Sequence, residues 1–220
     1  DANPFGVGAL QSLRSLRRRL PCSLGFMSES TKNYLRVEER YYSAHHTLLL
    51  IAEQSLKRAQ EKQPGWFNDA FICITFSALA IEAMANAIGD RAIPDWSEFE
   101  SASPTAKLRL LAEHLGLTYG KAEPWSTIKW LAKFRNQVAH PKPELVTTEK
   151  IISESQRHER SGEPPDSKFE RQITIENARR SFEAVYKAKR LLCAQLSPEI
   201  SLGLETDGWH GSTTPLNPSN

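Results

Sequence analysis

The chain has few cysteines and lacks the common short catalytic motifs. Cys22, Cys73 and Cys193 lie far apart, and none belongs to a CxxC pair. No disulfide framework is predicted, and a reducing, cytoplasmic setting fits this cysteine content. The sequence has no HExxH, GxxxxGK[ST] or GxGxxG pattern, and no cluster of His and Cys with zinc spacing. Zincin, P-loop and Rossmann functions, and a metal site, therefore have no support.

The chain beyond its first residues also has no excess of positive charge. The formal net charge is +2, but residues 1–26 contain four arginines and only one acidic residue, Asp1. The rest of the chain is therefore close to neutral, and a general electrostatic attraction to nucleic acid is not expected of it. Any contact with RNA would need a local basic patch.

Composition divides the chain into three parts. Residues 1–26 are poor in acidic residues and precede Met27, which opens a segment typical of a natural start. We interpret them as a leader or extension outside the fold, with an organelle transit peptide as the alternative. Residues 27–196 are predicted to fold, and residues 197–220 are predicted to be a C-terminal tail that orders only if something holds it.

Hydrophobic spacings of three and four predict helices and no strands. The four main helices are expected over residues 31–63, 66–90, 124–139 and 175–196, with Thr174 capping the last. Shorter helices are expected after Ser103 and Pro104 and over residues 148–160, where Ile151 and Ile152 are the apolar residues that suggest one. No sustained alternation and no Asn-Gly hairpin signal is present. The predicted fold is all-α, an up-and-down helical bundle of four main helices with short additional helices.

The second helix is apolar almost all round and carries one carboxylate, Glu82, near its middle. Its apolar stretch approaches the length of a membrane span, but a mid-span charge is costly, and the centre of a bundle requires the same composition. We therefore expect a bundle core and no membrane. A carboxylate there is seldom buried without a partner, so Glu82 is predicted to face the 124–139 helix and to pair with Arg135 or with a donor at a helix end.

The 124–139 helix carries the residues best suited to chemistry. Ile128, Leu131, Phe134 and Val138 form one buried stripe, and Pro141 and Pro143 end the helix. Arg135, Asn136 and His140 lie near that end.

The segment Phe-Arg-Asn-Gln-Val-Ala-His-Pro-Lys, residues 134–142, resembles the signature of HEPN domains: Arg, a polar residue, and His after four to six intervening positions, late in a bundle helix. The apolar helix with Glu82 and Asn86 also resembles the core helix of that family. The resemblance implies a bundle that dimerises with two Arg/His motifs facing across a cleft. In active members this cleft is a metal-independent endoribonuclease needing no cofactor, and many members act as toxins or antiviral effectors. Others are inactive interaction modules, and some pair with a nucleotidyltransferase or an antitoxin.

The candidate site residues suit RNA cleavage by the 2′-hydroxyl. His140 can act as base or acid, and Arg135 can grip a phosphate through two parallel donors. Asn136 could orient the His140 ring or bind a phosphate oxygen. Lys129, Lys133 and Lys142 are predicted to form the local basic patch that contacts RNA, and Glu82 is predicted to have a supporting role.

The geometry of a helix sets a condition on this site. Residues five positions apart are separated by about 140° around the helix axis, so Arg135 and His140 of one chain do not face one point. Either the end at Pro141 re-aims His140, or a homodimer supplies the other half. The alternative function is a catalytically inactive HEPN-like module that binds a protein or nucleotidyltransferase partner. In the purely structural alternative, Arg135 simply pairs with a carboxylate and His140 is an ordinary helix-end residue.

Overall fold

A computed structural model describes residues 33–158, 164–205 and 208–216 of the chain. The chain divides into two compact units, and the larger, Arg36–Ser212, contains every helix that the structure describes. Of the smaller unit, only residues 33–35 and 213–216 are described. The predicted leader, residues 1–26, lies outside the described residues.

The larger unit is an all-α helical bundle, as predicted. Its central helix is α2, which packs against α1, α3, α4 and α5. The α-helices are α1 Ala44–Gln60, α2 Trp66–Ala92, α3 Pro104–His114, α4 Trp125–Ala139, α5 Ile175–Cys193 and the short α6 Pro198–Ser201. Short 3-10 helices cover Trp96–Phe99, Glu154–His158 and Glu170–Gln172.

Local sequence signals explain where these helices begin and end. The Ser103 hydroxyl accepts a hydrogen bond from the N–H of Ala106 at 3.3 Å, and the Thr174 hydroxyl accepts one from Asn177 at 3.1 Å. Both are N-caps that satisfy a free amide of the first helical turn. Gly116 follows α3 with a φ of +71°, a backbone conformation that favours glycine.

The prediction that the chain contains no strand is wrong. Residues 34–41, predicted as the start of the first helix, form strand β1, Tyr34–Tyr41, and α1 begins only at Ala44. Strand β2, Gly208–Pro215, pairs with β1. The bond from the Leu216 N–H to the Asn33 carbonyl and the contact between His210 and Glu39 give an antiparallel register.

The polar segment before the last helix also differs from the sequence interpretation. Of the helix predicted over residues 148–160, the structure describes residues 148–158, and these contain only the 3-10 helix Glu154–His158. Ile151 and Ile152, which suggested it, are exposed.

The core of the larger unit continues past Leu196, where the folded part was predicted to end. Leu204 is 1% exposed and belongs to the core, although it lies in the predicted tail. The buried His45 on α1 contacts the Leu204 carbonyl oxygen through Nε2 at 3.0 Å, and the Arg91 guanidinium on α2 donates to the carbonyl oxygens of Ile200 and Leu202. These bonds and the burial of Leu204 hold residues 200–204 against the bundle.

Helix α2 is the one described helix that is long and apolar enough, by length and composition, to cross a membrane. Half of its most apolar window is buried inside the protein. Ile74, Ile81, Met84 and Ile88 are each at most 1% exposed, as expected of the core helix of a bundle. The structure is compatible with a soluble protein.

Candidate functional site

The helix α4 presents its apolar stripe to the core and its polar end to solvent. Ile128, Leu131 and Phe134 are fully buried, and Val138 packs against the same core at its edge. The last helical residue is Ala139, and His140 leaves the helix with φ −132° and ψ 61°, as expected of a residue that precedes proline. The predicted stripe and the predicted end of this helix are both confirmed.

A hydrogen-bonded carboxylate supports the start of α4. Glu123 accepts hydrogen bonds from the hydroxyls of Ser126 and Thr127 at 2.6 and 2.7 Å. Burial alone would raise the pKa of Glu123, but these hydrogen bonds outweigh burial and lower its pKa. Glu123 therefore stays ionised near the helix N-terminus, where a negative charge is favourable.

Glu82 lies between two cations. Its Oε2 is 3.3 Å from a guanidinium nitrogen of Arg135, and its Oε1 is 3.6 Å from Nζ of Lys107. The predicted pairing of Glu82 with Arg135 is confirmed. Two cations share one carboxylate, so this cluster keeps one net positive charge beside α4.

Lys107 is the member of this cluster that the sequence interpretation missed. Its side chain is 1% exposed, whereas those of Glu82 and Arg135 are 32% and 40% exposed. A signal was present, because Lys107 lies one helical turn before Leu111 and therefore on the buried face of α3. A lysine on an apolar face requires an acidic partner, and Glu82 is the one that the described residues offer.

Arg135 and His140 line two different cavities. The first, here called the α3 cavity, has a volume of about 330 Å³ and lies between the start of α3 and α4. The second, here called the α4-end cavity, has a volume of about 730 Å³ and lies between the end of α4 and residues 167–172. Of these two cavities, Arg135 lines the α3 cavity, His140 lines the α4-end cavity, and Asn136 lines both. Arg135 and His140 are thus placed at two neighbouring cavities that share one residue.

The His140 ring is available for chemistry. The side chain is exposed, and among the described residues the ring takes part in no hydrogen bond or ion pair. The side-chain oxygen Oδ1 of Asn136 accepts a long hydrogen bond from the Arg135 guanidinium at 3.5 Å. Asn136 is therefore connected to Arg135, and the structure does not show it orienting the His140 ring.

The three predicted RNA-binding lysines lie in different environments. Lys133 lines the α3 cavity, Lys142 lines the α4-end cavity, and both are exposed. Lys129 also lines the α3 cavity, but its ammonium donates to the Gly120 carbonyl oxygen at 2.7 Å and lies 4.7 Å from the centre of the Tyr119 ring. Lys129 thus anchors the segment before α4, while Lys133 and Lys142 keep their charges open to solvent.

No metal centre is apparent in the part of the chain that the structure describes. Within residues 33–158, 164–205 and 208–216, no three His, Cys, Asp or Glu side chains lie close enough together to hold an ion.

Comparisons with protein-family models, curated proteins and solved structures found no match to this chain. The functional argument therefore rests on the motif and on the geometry described above.

Proposed function

We propose that this protein is a metal-independent endoribonuclease of the HEPN type, with Arg135, Asn136 and His140 as its active-site residues. One observation carries the proposal: Arg135 and His140 line two neighbouring cavities at the end of α4, joined by Asn136. A phosphodiester lying across Asn136 would have a fixed cation on one side and an imidazole on the other.

The reaction is attack of the RNA 2′-oxygen on the adjacent phosphorus. A bond forms between the 2′-oxygen and phosphorus, the bond from phosphorus to the 5′-oxygen breaks, and the products are a 2′,3′-cyclic phosphate and a 5′-hydroxyl. His140 takes the 2′ proton or gives a proton to the leaving 5′-oxygen, since imidazole can do either near neutral pH. Arg135 stabilises the negative charge on the phosphate oxygens, and Lys133 and Lys142 hold the flanking backbone.

A homodimer would complete this site. One imidazole cannot act as both acid and base in the same turn, and Arg135 and His140 of one chain line different cavities. A second copy related by a two-fold axis supplies a second Arg135 and a second His140. In this proposal the protein acts in the cytoplasm in a toxin-like or defence role, and its partner is an antitoxin or a nucleotidyltransferase.

The test is RNA cleavage in EDTA by the wild-type protein, His140→Ala and Arg135→Lys. Arg135→Lys keeps the charge beside Glu82 and removes the planar pair of donors. The matched controls are His114→Ala, at the exposed end of α3, and Arg179→Lys, on the outer face of α5. Circular dichroism and size-exclusion chromatography with light scattering check the folding and the dimer of each variant.

We expect cleavage in EDTA, and a loss of about a hundredfold or more in His140→Ala, the range for an essential acid or base. Arg135→Lys should lose activity while remaining folded, and both controls should keep it. Absence of cleavage by a dimeric wild-type protein on several RNA pools would instead favour the inactive binding module. Equal activity of all variants would place the chemistry elsewhere.

A further inference from the structure

A third cavity continues the two cavities described above. It has a volume of about 560 Å³, is here called the Tyr119 cavity, and is lined by Thr105, Ala106, Arg109, Tyr119 and Lys129. It shares Thr105 and Lys129 with the α3 cavity, and the α3 cavity shares Asn136 with the α4-end cavity. The three cavities therefore follow one another along α4, and together they are here called the α4 groove.

One face of α4 runs the length of this groove. It carries Lys129, Lys133, Asn136 and, just past the end of the helix, His140, and each of them lines at least one of the three cavities. These positions are four, three and four residues apart, so they lie within about 60° of one another around the helix axis. From Lys129 to the last helical residue, Ala139, the face is about 15 Å long.

Four uncompensated positive charges lie along the groove. Residues 124–143 contain no Asp or Glu, and their four cations are Lys129, Lys133, Arg135 and Lys142. The three lysines form no ion pair with any described residue. Arg135 shares Glu82 with Lys107, so that cluster keeps one positive charge. The other two cations of the lining, Arg109 and Lys168, are each paired with a carboxylate, at 2.8 and 3.8 Å.

This arrangement suits the backbone of one nucleic acid strand. Lys129 and Lys133 are about 6 Å apart along the helix axis, which is comparable with the separation of neighbouring phosphates in an extended strand. The cavities form a single row, whereas a duplex would present two backbones. Phe71 and Phe169 line the α4-end cavity, and an aromatic wall of this kind accepts an unpaired base of any type, because every base has a π-face.

We propose that the α4 groove binds the sugar–phosphate backbone of single-stranded RNA from the Tyr119 cavity, past Asn136, to Lys142. A length of about 15 Å corresponds to about four or five nucleotides at 3.4 Å each. Backbone contacts carry no sequence information, so the groove binds RNA without preference for a base. This proposal rests on the ribonuclease function proposed above, and it adds the substrate class: single-stranded RNA that extends several nucleotides beyond the cleaved phosphate on the Lys133 side.

The first test measures binding without catalysis. The full chain is titrated into fluorescein-labelled 2′-O-methyl RNA, which cannot be cleaved because it lacks the attacking hydroxyl, and fluorescence anisotropy is recorded. Strands of three, six and nine nucleotides and a nine-base-pair hairpin are compared. The affinity should rise steeply from three to six nucleotides and little from six to nine, and the hairpin should bind more weakly than the nine-nucleotide strand.

The salt dependence of binding counts the phosphate contacts. Each contact to a single strand contributes about −0.7 to the slope of log K against log salt concentration, so four contacts predict a slope of about −3. Lys133→Gln should reduce this to about −2. The matched control is Lys187→Gln, on an exposed position of α5 outside the three cavities, which should leave the slope unchanged.

A substitution at Thr105 tests whether the strand reaches the Tyr119 cavity. Thr105 is the second residue of α3 and lines both the Tyr119 cavity and the α3 cavity. A carboxylate in the first turn of a helix is favourable, so Thr105→Glu should fold well, yet it would repel a phosphate. Binding should weaken about fivefold at low salt, the effect of one unit charge about 4 Å away in water. Thr105→Gln adds similar bulk without charge and should bind like the wild-type protein.

Circular dichroism confirms that each variant folds. The proposal is overturned if no strand binds, if the hairpin binds as tightly as the single strand, or if Lys133→Gln and Thr105→Glu both bind like the wild-type protein. A peptide of nine glutamates is the competing ligand. If it binds as tightly as the nine-nucleotide strand, the groove is a site for an acidic protein segment and the RNA proposal is overturned.

Cleavage separates this proposal from the ribonuclease function. If the wild-type protein binds the strands as described but cleaves no RNA in EDTA, the ribonuclease proposal fails and the groove stands. If the wild-type protein cleaves a trinucleotide with the same kcat/KM as a nine-nucleotide RNA, and Thr105→Glu does not change that value, the groove is overturned and the ribonuclease stands.

Discussion

Neutralising Glu82 should destabilise the protein through Lys107 more than through Arg135. Lys107 is 1% exposed, and Glu82 is the acidic group paired with it among the described residues. Glu82→Gln keeps the shape and leaves an oxygen for Arg135, but it strands a buried ammonium. Removing one partner of a buried ion pair lowers the free energy of unfolding by about 3–5 kcal/mol. Because the Glu82 side chain is 32% exposed, we expect a loss at the lower end, about 3 kcal/mol.

Urea denaturation of the full chain measures this cost. A loss of about 3 kcal/mol should lower the midpoint by about 1 M, with an unchanged slope. Glu53→Gln is the matched control, because Glu53 forms an exposed ion pair with Lys57 on α1 at 2.7 Å. Surface pairs of this kind contribute only about 0.3–0.5 kcal/mol.

A double substitution tests the mechanism. Lys107→Met removes the buried charge, so adding it to Glu82→Gln should restore stability to within about 1 kcal/mol of the wild-type protein. If Glu82→Gln lowers the free energy of unfolding no more than Glu53→Gln does, the buried charge of Lys107 does not need Glu82 as its partner. If the double variant is no more stable than Glu82→Gln alone, the loss does not come from the stranded ammonium. Either result would refute the reasoning.

Three further predictions concern packing, capping and a buried thiol. Gly89→Ala should cost about 2–3 kcal/mol of unfolding free energy, because its new Cβ would overlap the buried Trp96 ring. Thr174→Ala should cost about 1 kcal/mol by removing the N-cap of α5. Burial raises the pKa of Cys73 to about 12, so about one thiol in ten thousand is ionised at pH 8, and iodoacetamide should label Cys73 only when the protein unfolds.

Each of these has its own check. Gly120→Ala, where a new Cβ meets nothing within 4 Å, should have little effect, and equal losses at both glycines would contradict the overlap. Thr174→Ser keeps the capping oxygen and should retain most of the stability that Thr174→Ala loses. Peptide mass spectrometry distinguishes Cys73 from the other cysteines, and rapid labelling of Cys73 in the native protein would contradict its burial.

Local patterns were sufficient for the helices around the candidate site. The stripe of α4 and its end at Pro141 follow from side-chain spacing and from the restriction that proline places on His140. The caps at Ser103 and Thr174 were equally readable, because a cap is made within four residues. Glu82 could be assigned a cationic partner because a carboxylate in an apolar helix needs one.

The strand β1 shows where local patterns fail. Tyr34, Val37 and Tyr41 are spaced as on a helix, yet they lie in an exposed strand. Its partner β2 is far away in the sequence, in a segment of Gly, Ser and Thr with weak strand signals. Strand pairing satisfies backbone groups across the sheet, so a pattern read along one segment cannot reveal the partner.

The sequence alone therefore determined the helical class, the motif helix and the chemistry its residues can perform, because these depend on neighbours within one or two turns. The tertiary structure decided which groups meet: Lys107 with Glu82, Gln137 with Gln172, and residues 167–172 with the end of α4. It also decided that Arg135 and His140 line separate cavities that share Asn136. These contacts join elements that are distant in sequence. They are set by the way the elements pack around the shared core, and no local sequence pattern encodes that packing.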